Sequence, residues 1–205
     1  LELFVEQLAL HYERARKVDR AIGYLYRAGT KALMHYANEE AISFLSRGLD
    51  LLQEIPDSRE KLKRELEFRT ALGIPLVPIY GHGSEEVMDV YQKALDICEQ
   101  VGDNIQLFHC LHGIRRFYLV RGELDRCEVI SRRIFDLTKH IERPEFVSRG
   151  NMVHAETLFN SGKIREAVEL AAEGARCSRG EREDLHISLF GNATEVLCLA
   201  GQATS

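Results

Sequence analysis

Tryptophan is absent from this 205-residue chain, proline occurs four times, and no apolar run approaches the roughly 18–20 residues that a membrane-spanning helix needs. The missing long runs argue against a membrane as partner, and the scarcity of proline suits a soluble, well-packed helical protein. No stretch alternates apolar and polar residues for more than a few positions, so no strand is expected. Positive charge is in the minority: 27 Lys and Arg stand against 32 Asp and Glu, for a net charge of −5. That balance argues against a nucleic-acid partner, which calls for clustered, uncompensated cations. No C-x-x-C occurs either. Cys98, Cys110, Cys127, Cys177 and Cys198 are widely spaced and fall within apolar helical patterns, as in Ala94-Leu-Asp-Ile-Cys98. Thiols used as small core residues point to a reducing compartment, and with no signal peptide in view the reading is cytoplasmic.

What is present is a glycine that returns about every forty residues. Gly83, Gly122, Gly162 and Gly201 are separated by 39, 40 and 39 positions. Around each, an apolar helical run ends and glycine follows. In two copies a charged helix then opens: Ile114-Arg-Arg-Phe-Tyr-Leu-Val-Arg-Gly-Glu-Leu-Asp-Arg-Cys127 and His154-Ala-Glu-Thr-Leu-Phe-Asn-Ser-Gly-Lys-Ile-Arg-Glu-Ala167. Such self-similarity marks an α-solenoid, because a lone hairpin cannot bury its apolar face and must stack on a neighbour. The expectation is an all-α chain of about five antiparallel helical hairpins, forming one repeat domain over 1–205. The opening Leu1-Glu-Leu-Phe in mid-helix and the ending Gly201-Gln-Ala-Thr-Ser predict a fragment of a longer chain.

Periodicity and caps place ten helices. They fall near 3–14, 19–35, 38–52, 58–73, 85–101, 104–120, 123–140, 144–160, 163–177 and 183–200. Asn38 is expected to cap the third, Ser84 to open the fifth and Asp103 the sixth, while Pro144 suits a first helical turn. Gly73-Ile-Pro-Leu-Val-Pro-Ile-Tyr-Gly-His-Gly83 is the segment expected to interrupt the pattern, since Pro75 and Pro78 remove two backbone donors. Small and large residues recur where helices must cross: Cys127 and Ile134 follow Gly122 by five and twelve, Ala167 and Gly174 follow Gly162 likewise, and Ala9, Tyr12, Ala21, Leu25 and Ala28 repeat the arrangement near the N-terminus.

The wording of several segments is similar to one family. These are Tyr26-Arg-Ala-Gly-Thr-Lys-Ala-Leu-Met34, Ala37-Asn-Glu-Glu-Ala-Ile-Ser-Phe-Leu-Ser-Arg-Gly-Leu-Asp-Leu-Leu52, Leu72-Gly73, Gly81 with Glu86-Val87 and Tyr91, Val101-Gly-Asp-Asn-Ile-Gln-Leu-Phe108, Phe117-Tyr-Leu-Val-Arg-Gly-Glu-Leu124 and Phe190-Gly-Asn-Ala-Thr-Glu-Val-Leu-Cys198. They resemble the tetratricopeptide-like region of bacterial multidomain signalling proteins, where it follows a nucleotide-binding ATPase module, often behind an adenylate or guanylate cyclase, a kinase or a DNA-binding domain. The resemblance implies a right-handed superhelix and an intracellular regulatory arm. Such an arm senses a protein or peptide, or its own chain's other domains, and relays the result to a catalytic or DNA-binding module.

If Gly122 ends the first helix of such a hairpin, His109, His112 and Arg116 line its concave side. In the next hairpin the same places hold Arg149, Met152, Glu156 and Phe159, with Asn160 beside them. A mixed polar and apolar stripe of this kind suits a peptide or helix ligand. His109-Cys-Leu-His112 has the i, i+3 spacing of metal ligands, but a closed zinc site takes four and no second pair stands at a recognisable spacing. No metal and no cofactor are therefore expected. Gly81-His-Gly83 lacks the lysine and hydroxyl of a phosphate loop, no serine sits in G-x-S-x-G, and no catalytic role is assigned. Arg115-Arg116 and Arg132-Arg133 read as solvated or ion-paired faces, and Lys61–Glu65 and Lys63–Glu67 as i, i+4 pairs. The rival reading is a small-molecule sensor with its pocket near 73–84, where the expected interruption would open space. Self-association through uncapped ends stays open.

Overall fold

The computed structural model describes residues 4–141 and 143–177, and within them the chain is all-α. Its helices are α1 (Val5–Arg14), α2 (Val18–Met34), α3 (Asn38–Leu52), α4 (Arg59–Tyr80), α5 (Glu85–Val101), α6 (Asn104–Val120), α7 (Leu124–Thr138), α8 (Pro144–Asn160) and α9 (Ile164–Cys177). The helix expected near 183–200, with Cys198 and Gly201, lies outside the described residues. Where the sequence suggests one domain, the chain groups into two compact units, Leu1–Phe117 and Tyr118–Ser205, divided inside α6. In the first unit α1 packs on α2, α2 on α3, α3 on α4 and α4 on α5; in the second α7 packs on α8 and α8 on α9. Short turns between consecutive packed helices make these neighbours antiparallel hairpins.

Four of the turns are built alike. A residue in the left-handed region ends one helix at Arg16 (φ 52°), Tyr36 (φ 57°), Gly122 (φ 72°) and Gly162 (φ 78°). The N–H of the next residue then reaches back five: Lys17 to the Tyr12 carbonyl at 2.9 Å, Ala37 to Ala32 at 3.0 Å, Glu123 to Tyr118 at 3.0 Å and Lys163 to Leu158 at 2.9 Å. This is the wide bond of a Schellman-type ending, which satisfies a carbonyl left over at the helix terminus. Five residues past each left-handed position stands a buried residue: Ala21, Ala41, Cys127 or Ala167. Twelve past it stand Ala28, Gly48, Ile134 and Gly174, also buried. The repeat is thus present in the first unit too, as Ala21 and Ala28 suggest, with Arg16 and Tyr36 standing in place of glycine. Gly83 is not part of it: in that turn the positive φ belongs to Gly81 (φ 84°).

The helix does not stop at Pro75 or Pro78, and the chain turns only at 81–84. Ser58 accepts a hydrogen bond from the Lys61 N–H at 3.1 Å, and α4 then runs through Pro75 and Pro78 to Tyr80, ending at Gly81. An interior proline costs about 3 kcal/mol. Phe68, Ala71, Leu72, Pro75 and Leu76 are all buried along this helix, and each large apolar side chain so buried gains about 1.5–3 kcal/mol, so packing outweighs the lost bonds. Gly73 is therefore no terminator. It lies in mid-helix against the Tyr91 ring of α5, and Gly113 of α6 approaches the same ring; a methyl group at either glycine would collide with it. Burial raises the Tyr91 phenol well above its ordinary value, so it stays neutral between the two helices.

Smaller corrections follow from contacts beyond the local sequence. Asn38 is the first residue of α3 rather than its cap, a place taken by Ala37 without a side-chain bond. Lys61 is buried, and its Nζ donates to Asp57 at 2.9 Å and to the Ile55 carbonyl at 3.0 Å, while Glu65 takes Arg69 at 2.6 Å. Arg115 is wholly buried rather than solvated. Ser84 and Asp103 do cap as expected, Ser84 accepting from Val87 N–H at 3.3 Å and Asp103 from Ile105 and Gln106 N–H at 3.0 Å each. Cys98, Cys110 and Cys127 are core thiols, whereas Cys177 is exposed.

Two outcomes test this account. Gly113→Ala should lower stability by about 1–2 kcal/mol in thermal or urea unfolding, because overpacking against Tyr91 exceeds the gain in helix propensity; unchanged stability would contradict the crossing. At the turns, Gly122→Ala and Gly162→Ala should each lose about 1 kcal/mol, whereas Tyr36→Gly, at a residue 88 % exposed, should be neutral or slightly stabilising.

Candidate partner-binding faces

The sequence-derived binding residues divide between the two units. In the first, His109, His112 and Arg116 fall at i, i+3 and i+7 on α6, on one side of the helix, and all three are half-buried. Phe108 organises the two histidines: His109 meets its ring edge-on at 5.6 Å and His112 stacks on it at 6.2 Å. Burial pushes the His109 imidazole down to about 4, against the opposing pull of Asp103, so it is neutral at ordinary pH. At His109 this face offers a neutral ring rather than imidazolium charge, with Arg116 supplying a cation. Cys110, between the histidines in sequence, points elsewhere. Its sulfur lies 3.8 Å from that of Cys98, and this hydrogen bond, with burial, pushes its thiol far up. It therefore stays protonated and is no ready metal ligand.

In the second unit the stripe is read differently by the structure. α8 is buried nearly all round, and Arg149 (5 % exposed) and Met152 (4 %) lie inside. Glu156 is half-buried, and its carbonyl accepts from the Asn160 amide at 2.7 Å. Phe159, 53 % exposed, is the apolar side chain of the set that meets solvent. The physical reason is that α8 packs between α7 and α9, so positions that an edge helix would show to a partner are covered. What remains displayed there is the C-terminal end of α8, from Glu156 to Phe159.

Sequence reasoning missed a buried polar seam between α7 and α8. The Ser131 hydroxyl lies 2.9 Å from His154 Nδ1, and Thr157 Oγ1 lies 3.6 Å from the Cys127 sulfur. Ser131 also donates to the Glu128 carbonyl at 3.0 Å. Ser131 and His154 are thus partners in a hydrogen bond whose direction follows the imidazole tautomer. Both residues are at most 2 % exposed, so the pair acts as a buried hydrogen bond. Burial lowers the His154 pKa, with Arg132 adding to the effect. A second missed feature is a shallow cleft of about 480 Å³ in the first unit, lined by Tyr12, Glu13, Arg16, Val18, Leu51 and Glu54. Among the described residues no three His, Cys, Asp or Glu gather as metal ligands, and no helix is long and apolar enough to cross a membrane.

No family model matches the chain. It is 25 % identical over 197 residues to the uncharacterized protein R02095 of Rhizobium meliloti (strain 1021), an alignment taking in 95 % of this chain and 19 % of that protein. The chain thus spans about a fifth of the length of this curated relative. Among solved structures, the apo form of RapI matches with a TM-score of 0.71 and 9 % identity, covering 99 % of this chain and 82 % of the other. That likeness shows the fold: a tetratricopeptide-like helical repeat.

The two lowered histidines give a pH dependence. Neutral in the fold but ordinary (about 6.5) when unfolded, each contributes stability that is complete above pH ~6.5 and lost as pH falls toward the folded values, by at most about 1.4 kcal/mol per pH unit per group. Thermal unfolding from pH 7.5 down to 5 should show a falling Tm, and His109→Gln should flatten the slope. A Tm independent of pH across that window would refute the burial of both rings.

Proposed function

We propose that the chain is a non-catalytic interaction and regulatory arm of a larger bacterial signalling protein. It binds a protein or peptide partner through the faces of α6 and α8 and relays occupancy to an ATPase, cyclase or DNA-binding module elsewhere in that protein. The observation that carries the reading is the tetratricopeptide-like fold shared with RapI over 99 % of the chain, since this repeat type is a protein-binding scaffold. The relative about five times longer supports a place within a larger polypeptide, and the resemblance to signalling arms supplies the output. On this reading the chain works in the cytoplasm.

The small-molecule reading draws less support, because α4 continues through Pro75 and Pro78 to Tyr80 and the turn into α5 is confined to 81–84. On the interaction reading, Arg116 contributes a cation on α6, while Glu156 and Phe159 contribute a carboxylate and an apolar anchor on α8.

Affinity capture from native lysate tests the assignment face by face, with baits carrying Arg116→Glu or Phe159→Ser beside the unaltered chain. The expected result is a protein retained by the unaltered bait and reduced about tenfold or more on at least one variant of equal helicity. A partner retained equally by all three baits would remove these faces from the binding site.

A further inference from the structure

Between residues 14 and 27 the chain carries five Lys or Arg against one acid, Asp19, although the whole protein is net negative at −5. Arg14, Arg16, Lys17, Arg20 and Arg27 are all exposed, and none makes an ion pair among the described residues. Of the nearby acids, Asp19 meets Arg64 at 3.4 Å and Glu13 is bound by Arg47, while Glu54 lines the cleft beside Arg16. Two of the cations are held in place by aromatic rings. The Arg20 guanidinium lies 5.5 Å from the Tyr12 ring and donates to its hydroxyl at 3.3 Å, and Arg27 lies 5.7 Å from the Tyr24 ring. Tyr12 and Tyr24 themselves stack at 5.2 Å, with their planes 15° apart. Arg20, Tyr12, Tyr24 and Arg27 therefore form one row across α1 and α2. Arg20 spends one in-plane donor on the Tyr12 hydroxyl, and its remaining donors and those of Arg27 are left for a carboxylate.

Gly23 is the independent observation. Inside the described helices, Gly29, Gly48, Gly73, Gly113, Gly150 and Gly174 each face a side chain or backbone that a methyl group would crowd. Gly23 faces nothing within 4 Å, so no packing among the described residues accounts for a helix-weakening residue in mid-α2. On the helix it falls on the same stripe as Arg20, Tyr24 and Arg27. Bare backbone between two positioned cations admits another main chain at close range. Arg20 and Arg27 are separated along the axis by about 10 Å, at ~1.5 Å per residue. Three residues of chain in the extended polyproline II form, at ~3.1 Å each, span about the same distance and return side chains to the same face.

We infer that this face of α2 docks an extended acidic segment of a partner protein, with carboxylates three residues apart meeting Arg20 and Arg27 and its backbone crossing Gly23. The surface is separate from the α6 and α8 faces, so its fate and theirs are decided independently. The net negative charge of the protein and the small extent of the patch favour a short acidic segment over a nucleic-acid backbone.

Fluorescence anisotropy of the whole chain tests the inference with a labelled peptide of about a dozen residues carrying aspartate at every third position among serine and threonine. Saturable binding is expected, weakening with salt, and falling about tenfold or more in the Arg20→Glu, Arg27→Glu double variant. Gly23→Ala should raise Tm by about 2–4 °C through helix propensity and yet weaken the peptide severalfold, a combination that mere loss of structure cannot produce. Absence of saturable binding, unchanged affinity in the double variant, or unchanged affinity in Gly23→Ala at raised Tm would each overturn the inference. So would single-stranded DNA of equal charge binding as tightly as the peptide.

Discussion

Helices in this protein stack closely because one partner at each crossing has almost no side chain. Tyr91 occupies the space left by Gly73 and Gly113, Phe68 that left by Gly48, Leu45 that left by Gly29, and Thr138 that left by Gly150. Each ring or branched side chain is the knob, and the missing Cβ is the hole that lets the axes approach within the 8–10 Å of ordinary helix packing. In a repeat protein every hairpin owes its stability to its neighbour, so a crossing forced apart is felt by the next one. This also explains why α4 keeps its helical form through two prolines. The helix is fixed at Gly73 by the Tyr91 contact and along its buried face, and the missing donors are outweighed.

Much of this fold was legible in the sequence because the repeat spacing, the caps and the apolar periodicity are local signals. Pro144 begins α8, Ser84 opens α5 and Asp103 opens α6 as residue type and position dictate. The misreadings share a cause, which is tertiary contact overriding local chemistry. Gly73 looks like a terminator until Tyr91 is placed against it. Lys61 looks solvated until the Ile55 carbonyl and Asp57 are found within reach. In the first unit the repeat is legible through its spaced residues, Ala21 and Ala28 among them, and not through its turns, because Arg16 and Tyr36 hold a conformation usually left to glycine.

The candidate site was less legible. Spacing alone puts Arg149, Met152, Glu156 and Phe159 on one stripe of α8, but whether a stripe is displayed depends on what packs beside the helix. α8 is covered on two sides, which leaves the Glu156 and Phe159 end as the displayed part. On α6 the same spacing leads to a half-buried face whose histidines are ordered by Phe108. The cationic row on α2 escaped notice because its members come from two helices, and because a net charge of one sign says little about where the other sign gathers.

Arg16 and Tyr36 lie twenty residues apart, half the spacing of Gly122 and Gly162, so α2 closes one hairpin and opens the next. The unit of growth there is the single helix and not the pair. Duplication or loss of a forty-residue pair leaves the chain running in its original direction, whereas gain or loss of one helix reverses it. The parity of the helix count thus decides from which edge of the stack the polypeptide departs. Where a repeat array hands its chain to another module, one helix added at the end of the stack would send that module to the opposite rim while leaving the earlier packing contacts as they are.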